Sequence, residues 1–546
     1  MHPDSPDQHP PPQAAVVVIG YNDRAHVGDA VRSALAQGGA VRSALAQGGA
    51  VAEVIAVDDR STDGSAELLG RLAAGEPRLR VVRREVNSGG CGSPRNTGID
   101  AVTAPYVMFL DSDDVLPPGA VGALLTAAAG AKAEVASGLC VRRELPSGRE
   151  EPWQPSLYTA PAVLARPSQR PRLVHDTLCV NKLYRTDFLR GHGIRFPEGR
   201  FLYEDFVFTA RVLAAGPRVA LVPDPVYVWH VRRSAERLSL SLDREHIDNW
   251  KARVEACALA YDILLGAGQK ELARAARAKF LDHDVRMYVR ELGLRDADYR
   301  RAWWAHTREY LARYDADDWE RNPAAPGPLL ARVVLASPEP RDLPRLRELA
   351  ARPARLLPPC ARDADGTPVW SADLPEVTLT PLLTRPVRLL PLAVDAELRP
   401  RARATLLRLR LHELYGRVAG AGPREVDVRW QSREDDRTAG RTTAVLTPDR
   451  AGTWTAVVPV DLAGLGGGVW DLRLTLRFAD GGRREVTAHA SAGAGRLRRH
   501  AVPDARHGVL LVQPYATHSG ALALRVAAGP RGVAEVVRGR LRRLLH

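Results

Sequence analysis

The chain has 546 residues, 45% of them hydrophobic and 26% charged, with a net charge of +13. This length calls for two to four domains, and the composition is that of a globular protein rather than a disordered or fibrous one. No apolar run approaches the roughly 18 residues of a membrane helix, so no span is expected. The positive charge is almost all Arg, scattered through Ala-, Gly- and Pro-rich sequence. Aromatic residues are not interleaved with it as stacking platforms require, and no nucleic-acid motif accompanies it, so a nucleic-acid partner is not expected. Cys91, Cys140, Cys179, Cys257 and Cys360 are few, odd in number and widely spaced. They suit neither a zinc knuckle nor a disulfide framework, and a reducing cytoplasm is expected.

In chain order, residues 1–13 are Pro-rich and polar, without a basic start or apolar stretch, and read as a disordered tail rather than a secretory signal. From Ala14 the pattern alternates. Val16–Ile19, Val54–Val57, Leu79–Val82 and Tyr106–Leu110 read as strands, and the stretches between them have helical spacing. Such alternation implies a parallel sheet covered by helices. Polar residues gather after each strand: Tyr21-Asn22, Asp58-Asp59, Asn87 to Gly92, and Asp111-Ser112-Asp113. In open α/β sheets, ligands bind at those strand ends. Val31–Ala40 recurs unchanged as Val41–Ala50, a local duplication in which Gly38-Gly39 breaks the helix.

The segment Phe109–Asp114, FLDSDD, presents Asp111, Asp113 and Asp114 at the end of an apolar strand. Clustered carboxylates repel, and hard oxygen ligands of this type suit Mg²⁺ or Mn²⁺ holding a diphosphate. Helical spacing then dominates 241–355, with Trp303, Trp304 and Tyr310 as core anchors. Over 356–530, short strand-like runs separated by turns suggest an antiparallel β-sandwich, among them Val377–Thr380, Val387–Leu392, Val426–Trp430 and Trp470–Phe478. Residues 531–546 read as a basic amphipathic helix that suits either an anionic membrane surface or docking on the sandwich.

The strings VIGYN (Val18–Asn22), VDDRSTDGS (Val57–Ser65), NSGGCGSPRNTG (Asn87–Gly98) and FLDSDD, with Asn181–Phe208 and Tyr227–Ser239 further on, resemble glycosyltransferase family 2 in order and spacing. The resemblance covers 14–240 and implies the GT-A nucleotide-sugar fold. It implies that Tyr21 stacks on uracil and that Asp58 accepts from its imide. Asn87, Arg95 and Asp111 would contact the nucleotide-sugar, with Arg233 and Ser234 over the diphosphate. Asp113 and His230 would hold the metal. Asp205 would be the general base, with Glu204 beside it. The chain departs from the family at Ile19, where many members have Pro, at Arg60, where many have Gly, and at Pro94, where a small residue is commoner.

The wider pattern resembles bacterial enzymes that decorate wall teichoic acid or related envelope polymers. It implies transfer, with inversion, from a UDP-sugar to a hydroxyl of a polyanionic or polysaccharide acceptor, with Mn²⁺ or Mg²⁺. Elongation of a capsular or exopolysaccharide chain, or a glycan-binding relative without turnover, are the alternatives. A homo-oligomer, and a place at the inner face of the cell membrane, belong to the same expectation.

Overall fold

The computed structural model describes residues 13–37, 49–232, 243–321, 326–400, 405–449, 452–491, 497–517 and 519–529. It contains two compact units: residues up to Phe280 with Arg313–Arg321, and Leu281–Ala312 with the chain from Asn322 onward.

The first unit is built on a nine-stranded sheet. Its strands are β1 (Ala14–Gly20), β2 (Val51–Asp58), β3 (Leu79–Arg83), β4 (Tyr106–Asp111), β5 (Val135–Leu145), β6 (Arg149–Trp153), β7 (Ala162–Leu164), β8 (Lys182–Arg185) and β9 (Val219–Arg232). The spatial order is β3-β2-β1-β4-β8-β5-β9-β7, with β6 hairpinned onto β5. Strands β3, β2, β1 and β4 run parallel, and the first six residues of β1 and all of β4 but Asp111 are buried. A strand covered on both faces must be apolar throughout, which is why these runs do not alternate. Helices α1 (Val27–Leu35), α2 (Ser65–Ala74), α3 (Gly92–Ala101) and α4 (Ala120–Ala131) make the crossovers. Helices α5 (Thr186–Gly191), α6 (Glu204–Ala214), α7 (Ile247–Gly266) and α8 (Lys270–Lys279) follow.

Register aligns the strand ends. Gly20 pairs with Asp58 on one side, and Ile19 pairs with Asp111 on the other. Tyr21, Asp58 and Asp111 therefore leave the sheet along one edge. Helix α3 lies close on β1: a Cβ added at Gly98 would meet Val17 Cγ1 at 2.2 Å. Only glycine permits that approach without displacing the helix.

The helical stretch expected over 241–355 is divided. Helices α7 and α8 belong with the sheet unit, while Arg286–Leu292, Ala297–Leu311, Gly327–Ala336 and Leu343–Ala350 lie in the second unit. Trp303 and Trp304 are fully buried there and Tyr310 nearly so. The rest of this unit is β-rich, with a five-stranded and a seven-stranded sheet. Burial alternates along Thr405–His412, Pro423–Ser432 and Gly468–Phe478, as it does in strands with one covered face.

Two expected strands are absent. Thr380–Leu383 is a helical turn and Val387–Leu389 a 3-10 turn. Pro381, Pro386 and Pro391 lack the N–H that a ladder requires. Strands at Val394–Arg399, His500–Asp504, Gly508–Ala516 and Leu522–Ala528 went unanticipated. The tail, nearly all of the second repeat copy and the basic helix over 531–546 lie outside the described residues.

Candidate active site

Tyr21 is half exposed at the end of β1, beside Asn22 in the left-handed region at φ 51°. The Asn22 carboxamide oxygen accepts from Thr62 N–H at 2.7 Å, and its own N–H donates to Ser61 Oγ at 3.0 Å. These bonds tie the loop after β1 to the loop after β2. Asp58 is 1% exposed. Its Oδ2 accepts from Ser61 N–H at 3.1 Å and lies 3.4 Å from Arg83 Nε. Its Oδ1 is buried without a partner among the described residues, a costly state for an acceptor.

Asn87 faces its own protein. Its amide donates to the Asp59 carbonyl at 2.8 Å and to Asp59 Oδ2 at 3.1 Å. Asp59 Oδ2 also accepts from Ser88 Oγ at 2.8 Å, and Asp59 Oδ1 pairs with Arg84 Nε at 2.9 Å. Asn87 thus fixes the loop after β3 to the end of β2. The second Asp of VDDRSTDGS is that loop's anchor, a part the sequence did not single out.

The three aspartates after β4 diverge. Asp111 turns toward helix α3. Asp114, 4% exposed, turns inward, accepting from Tyr227 Oη at 2.7 Å and from His230 N–H at 2.8 Å. Burial, with Asp113 and Asp111 nearby, pushes its carboxyl well above the usual range. It is an anchor for β9 and not an outward-facing ligand.

Asp113 is half exposed, with Arg232 at 3.3 Å from Oδ2. Burial and the charges of Asp111 and Asp23 push it up to about 6. His230 Nδ1 lies 3.0 Å from the Asp113 carbonyl. A carbonyl can only accept, so Nδ1 carries the proton and Nε2 presents a lone pair. Burial lowers the imidazole pKa and favours the neutral ring. Among the described residues, no three His, Cys, Asp or Glu side chains form a ready metal cage. A carboxylate crowded by like charge and an imidazole with a free lone pair nevertheless fit a divalent ion completed by phosphate and water.

Arg95 is the centre of the site. It is 2% exposed. One terminal nitrogen donates to Asp111 Oδ1 at 2.7 Å. The other donates to Glu204 Oε1 at 2.7 Å and to Asp205 Oδ1 at 3.0 Å. One cation therefore joins the end of β4 to the start of α6. Its pKa lies well above the ordinary value, because Asp111 and Asp205 outweigh the burial that opposes its charge. Burial and the neighbouring Asp205 charge push Glu204 up to about 7, against the pull of Arg95. Asp205 Oδ2 also accepts from Cys179 N–H at 3.2 Å.

Small residues make this junction. A Cβ at Gly92 would meet the Pro197 carbonyl at 1.9 Å, and one at Gly90 the Gly199 carbonyl at 2.4 Å. Asn96 closes it: its amide donates to the Phe196 carbonyl at 3.0 Å and its oxygen accepts from Phe196 N–H at 2.9 Å. Pro94 is the third residue of α3, within the first turn, where no intrahelical acceptor awaits its missing N–H. It leaves Arg95 well placed.

Tyr21, Asp58, Asp111 and Asp113 thus lie at one sheet edge, and Arg95 brings Glu204 and Asp205 to Asp111. Arg233 and Ser234 lie outside the described residues. Tyr227 and Arg232 were missed as site residues, although both stand in the segment Tyr227–Ser239. Period-two spacing from His230 marks Arg232, whereas Tyr227 falls on the opposite face of β9.

The model of glycosyl transferase family 2 matches residues 15–193. The succinoglycan biosynthesis protein ExoO of Rhizobium meliloti (strain 1021) is 32% identical over 275 residues, covering 49% of this chain and 73% of that protein. The poly(ribitol-phosphate) beta-N-acetylglucosaminyltransferase TarS of Staphylococcus aureus (strain MW2) is 30% identical over 225 residues, 41% of this chain but only 36% of TarS. The crystal structure of S. aureus TarS superposes with a TM-score of 0.51 at 17% identity, covering 94% of this chain and 85% of that one. Its 1–349 fragment in complex with UDP-GlcNAc gives 0.50 at 20% identity, covering 65% of this chain and 96% of the fragment. These two likenesses establish a shared fold, with a GT-A-like sheet domain and a separate C-terminal β-rich region.

Proposed function

The chain belongs to glycosyl transferase family 2, and from that premise we propose that it moves a sugar from a UDP-sugar, with inversion, to a hydroxyl of a cell-envelope glycopolymer such as wall teichoic acid. The observation that carries the proposal is the Arg95 junction. It sets Asp111, at the donor edge of the sheet, against Asp205, at the N-terminus of α6. A single displacement at the anomeric carbon needs one carboxylate to take the acceptor proton, beside a site that holds the leaving diphosphate.

Tyr21 offers its ring to the uracil, and the unpartnered Asp58 Oδ1 suits the imide N–H. Asp111 contacts the ribose or sugar. Asn87 acts through Asp59 by shaping the loop under the nucleotide. Arg95 acts through Asp111 and Asp205. Asp205 takes the proton from the attacking hydroxyl, and Glu204 orders it through the shared guanidinium. Arg233 and Ser234 close over the diphosphate. Asp113 and His230 would hold Mn²⁺ or Mg²⁺, which neutralises charge building on the departing diphosphate.

In the same reading the second unit is a β-sandwich reached through helices, serving self-association or polymer binding. The enzyme then works in the cytoplasm at the inner face of the membrane. No helix among the described residues is long and apolar enough to cross it. The match to ExoO favours a second reading, elongation of an exopolysaccharide.

The test is UDP release from a panel of UDP-sugars with Mn²⁺, with and without teichoic acid or acidic exopolysaccharide acceptors. Asp205→Asn should lose about 10²–10⁴ in turnover while still binding UDP. Unchanged turnover removes the base from Asp205, and silence across the whole panel removes the proposal.

A further inference from the structure

Beyond the displacement chemistry, one sheet face carries an arrangement with no part in it. Register pairs Cys140 with both Trp153 of β6 and Tyr227 of β9, and Arg142 with Trp229 of β9. Paired residues, and residues two apart, share a face. Trp153, Arg142, Tyr227 and Trp229 therefore project from one side. The two indoles meet edge to face at 6.3 Å, and the Arg142 guanidinium lies 5.0 Å from the centre of the Trp229 ring. All three side chains are partly exposed.

This face leads to the base. Tyr227 Oη accepts from Asp111 N–H at 3.2 Å, two residues before Trp229. Trp153 Nε1 donates to Asp176 Oδ1 at 3.1 Å. Asp176 binds Lys182 and Asn181 at 2.9 Å each, and Cys179, three residues on, donates to Asp205. Trp153 is thus bonded into the segment that holds Asp205.

Arg142 is the informative member. Its Nε is buried without a partner, and among the described residues no hydrogen bond or ion pair engages the guanidinium. A cation held on an aromatic face with its hydrogen-bonding capacity unused is a receptor for an anion. An indole pair beside it suits the C–H face of a sugar or polyol.

We propose that Trp153, Trp229 and Arg142 form an acceptor subsite for a sugar or polyol unit bearing an anionic group, phosphate or carboxylate. The inference rests on the glycosyltransferase reading of Asp205. The indoles orient the unit, and Arg142 selects the charged one.

The experiment compares wild type, Arg142→Gln and Arg142→Lys with three probes: a ribitol-phosphate oligomer, a hexuronate oligosaccharide and a neutral glucan oligosaccharide. Transfer kinetics, donor hydrolysis without acceptor, and calorimetric binding of each probe are measured. Arg142→Gln should raise KM and Kd for the preferred anionic probe roughly tenfold, with hydrolysis and the neutral probe unchanged. Arg142→Lys should recover part of the loss. The better of the two anionic probes identifies phosphate or carboxylate. Unaltered binding of all three probes in Arg142→Gln overturns the subsite, as does an equal loss for the neutral probe. Probe binding that depends on Arg142 in a protein that turns over no donor would sink the catalytic reading alone.

Discussion

Glu204 and Asp205 are adjacent in sequence and share one guanidinium, yet their surroundings separate their roles. Asp205 keeps a partly exposed edge, whereas Glu204 is nearly buried. With its carboxyl pushed up to about 7 from 4.5, Glu204 binds its proton more tightly folded than unfolded. Between those values the folded state holds the extra proton, so this group makes stability fall as pH rises from about 4.5 to 7. Glu204→Gln fixes the neutral form and should flatten that slope in thermal melts from pH 5 to 8. Parallel melting curves for wild type and variant would contradict the assignment. Tyr227→Phe removes the hydroxyl joining Asp111 N–H to Asp114. It leaves Asp114 buried with one fewer donor and should cost about 1–3 kcal/mol in urea unfolding.

At the level of elements, two backbone positions decide how strand ends meet. Arg60 sits at φ 69° in the turn after β2, where an L side chain is disfavoured. Glycine would adopt this conformation without that penalty. Arg60→Gly should therefore stabilise the protein by roughly 0.5–1 kcal/mol, net of the entropy of a freer unfolded chain. A lower urea midpoint would refute the strain. Gly98→Ala tests the opposite case. With Val17 Cγ1 at 2.2 Å from the new Cβ, α3 must shift, and Arg95 with it. A loss of about 1–3 kcal/mol is expected, with turnover falling further than UDP affinity. Equal losses in both would detach Arg95 from the base.

Across the whole molecule, the tandem VRSALAQGGA copies offer a clean experiment. Helix α1 ends at Leu35 and β2 begins at Val51. Deleting 41–50 leaves Ala36–Ala40 as the connection, a usual length between helix and strand. Gly39-Ala40 would then stand where Gly49-Ala50 now bind Gln13 and Ala14. Gln37, whose amide holds the Pro117 carbonyl, is retained. Melting temperature and UDP release should stay near wild type, and collapse of either would show that the second copy carries structure.

Sequence by itself determined the parallel strands, because a doubly covered strand must be a continuous apolar run. It determined the polar clusters at their ends, because a ligand site needs side chains that the core rejects. It also marked several of the later strands, as short apolar runs between turns. It could not separate the Pro-interrupted runs near 377–392 from strands, since a hydrophobic count does not register a missing N–H. Only the tertiary structure decided which carboxylate faces where. Asp111, Asp113 and Asp114 are near neighbours in sequence, but Arg95, Arg232 and Tyr227 draw them apart. Those partners lie 16 to 119 residues away, and charge pairing acts through space rather than along the chain.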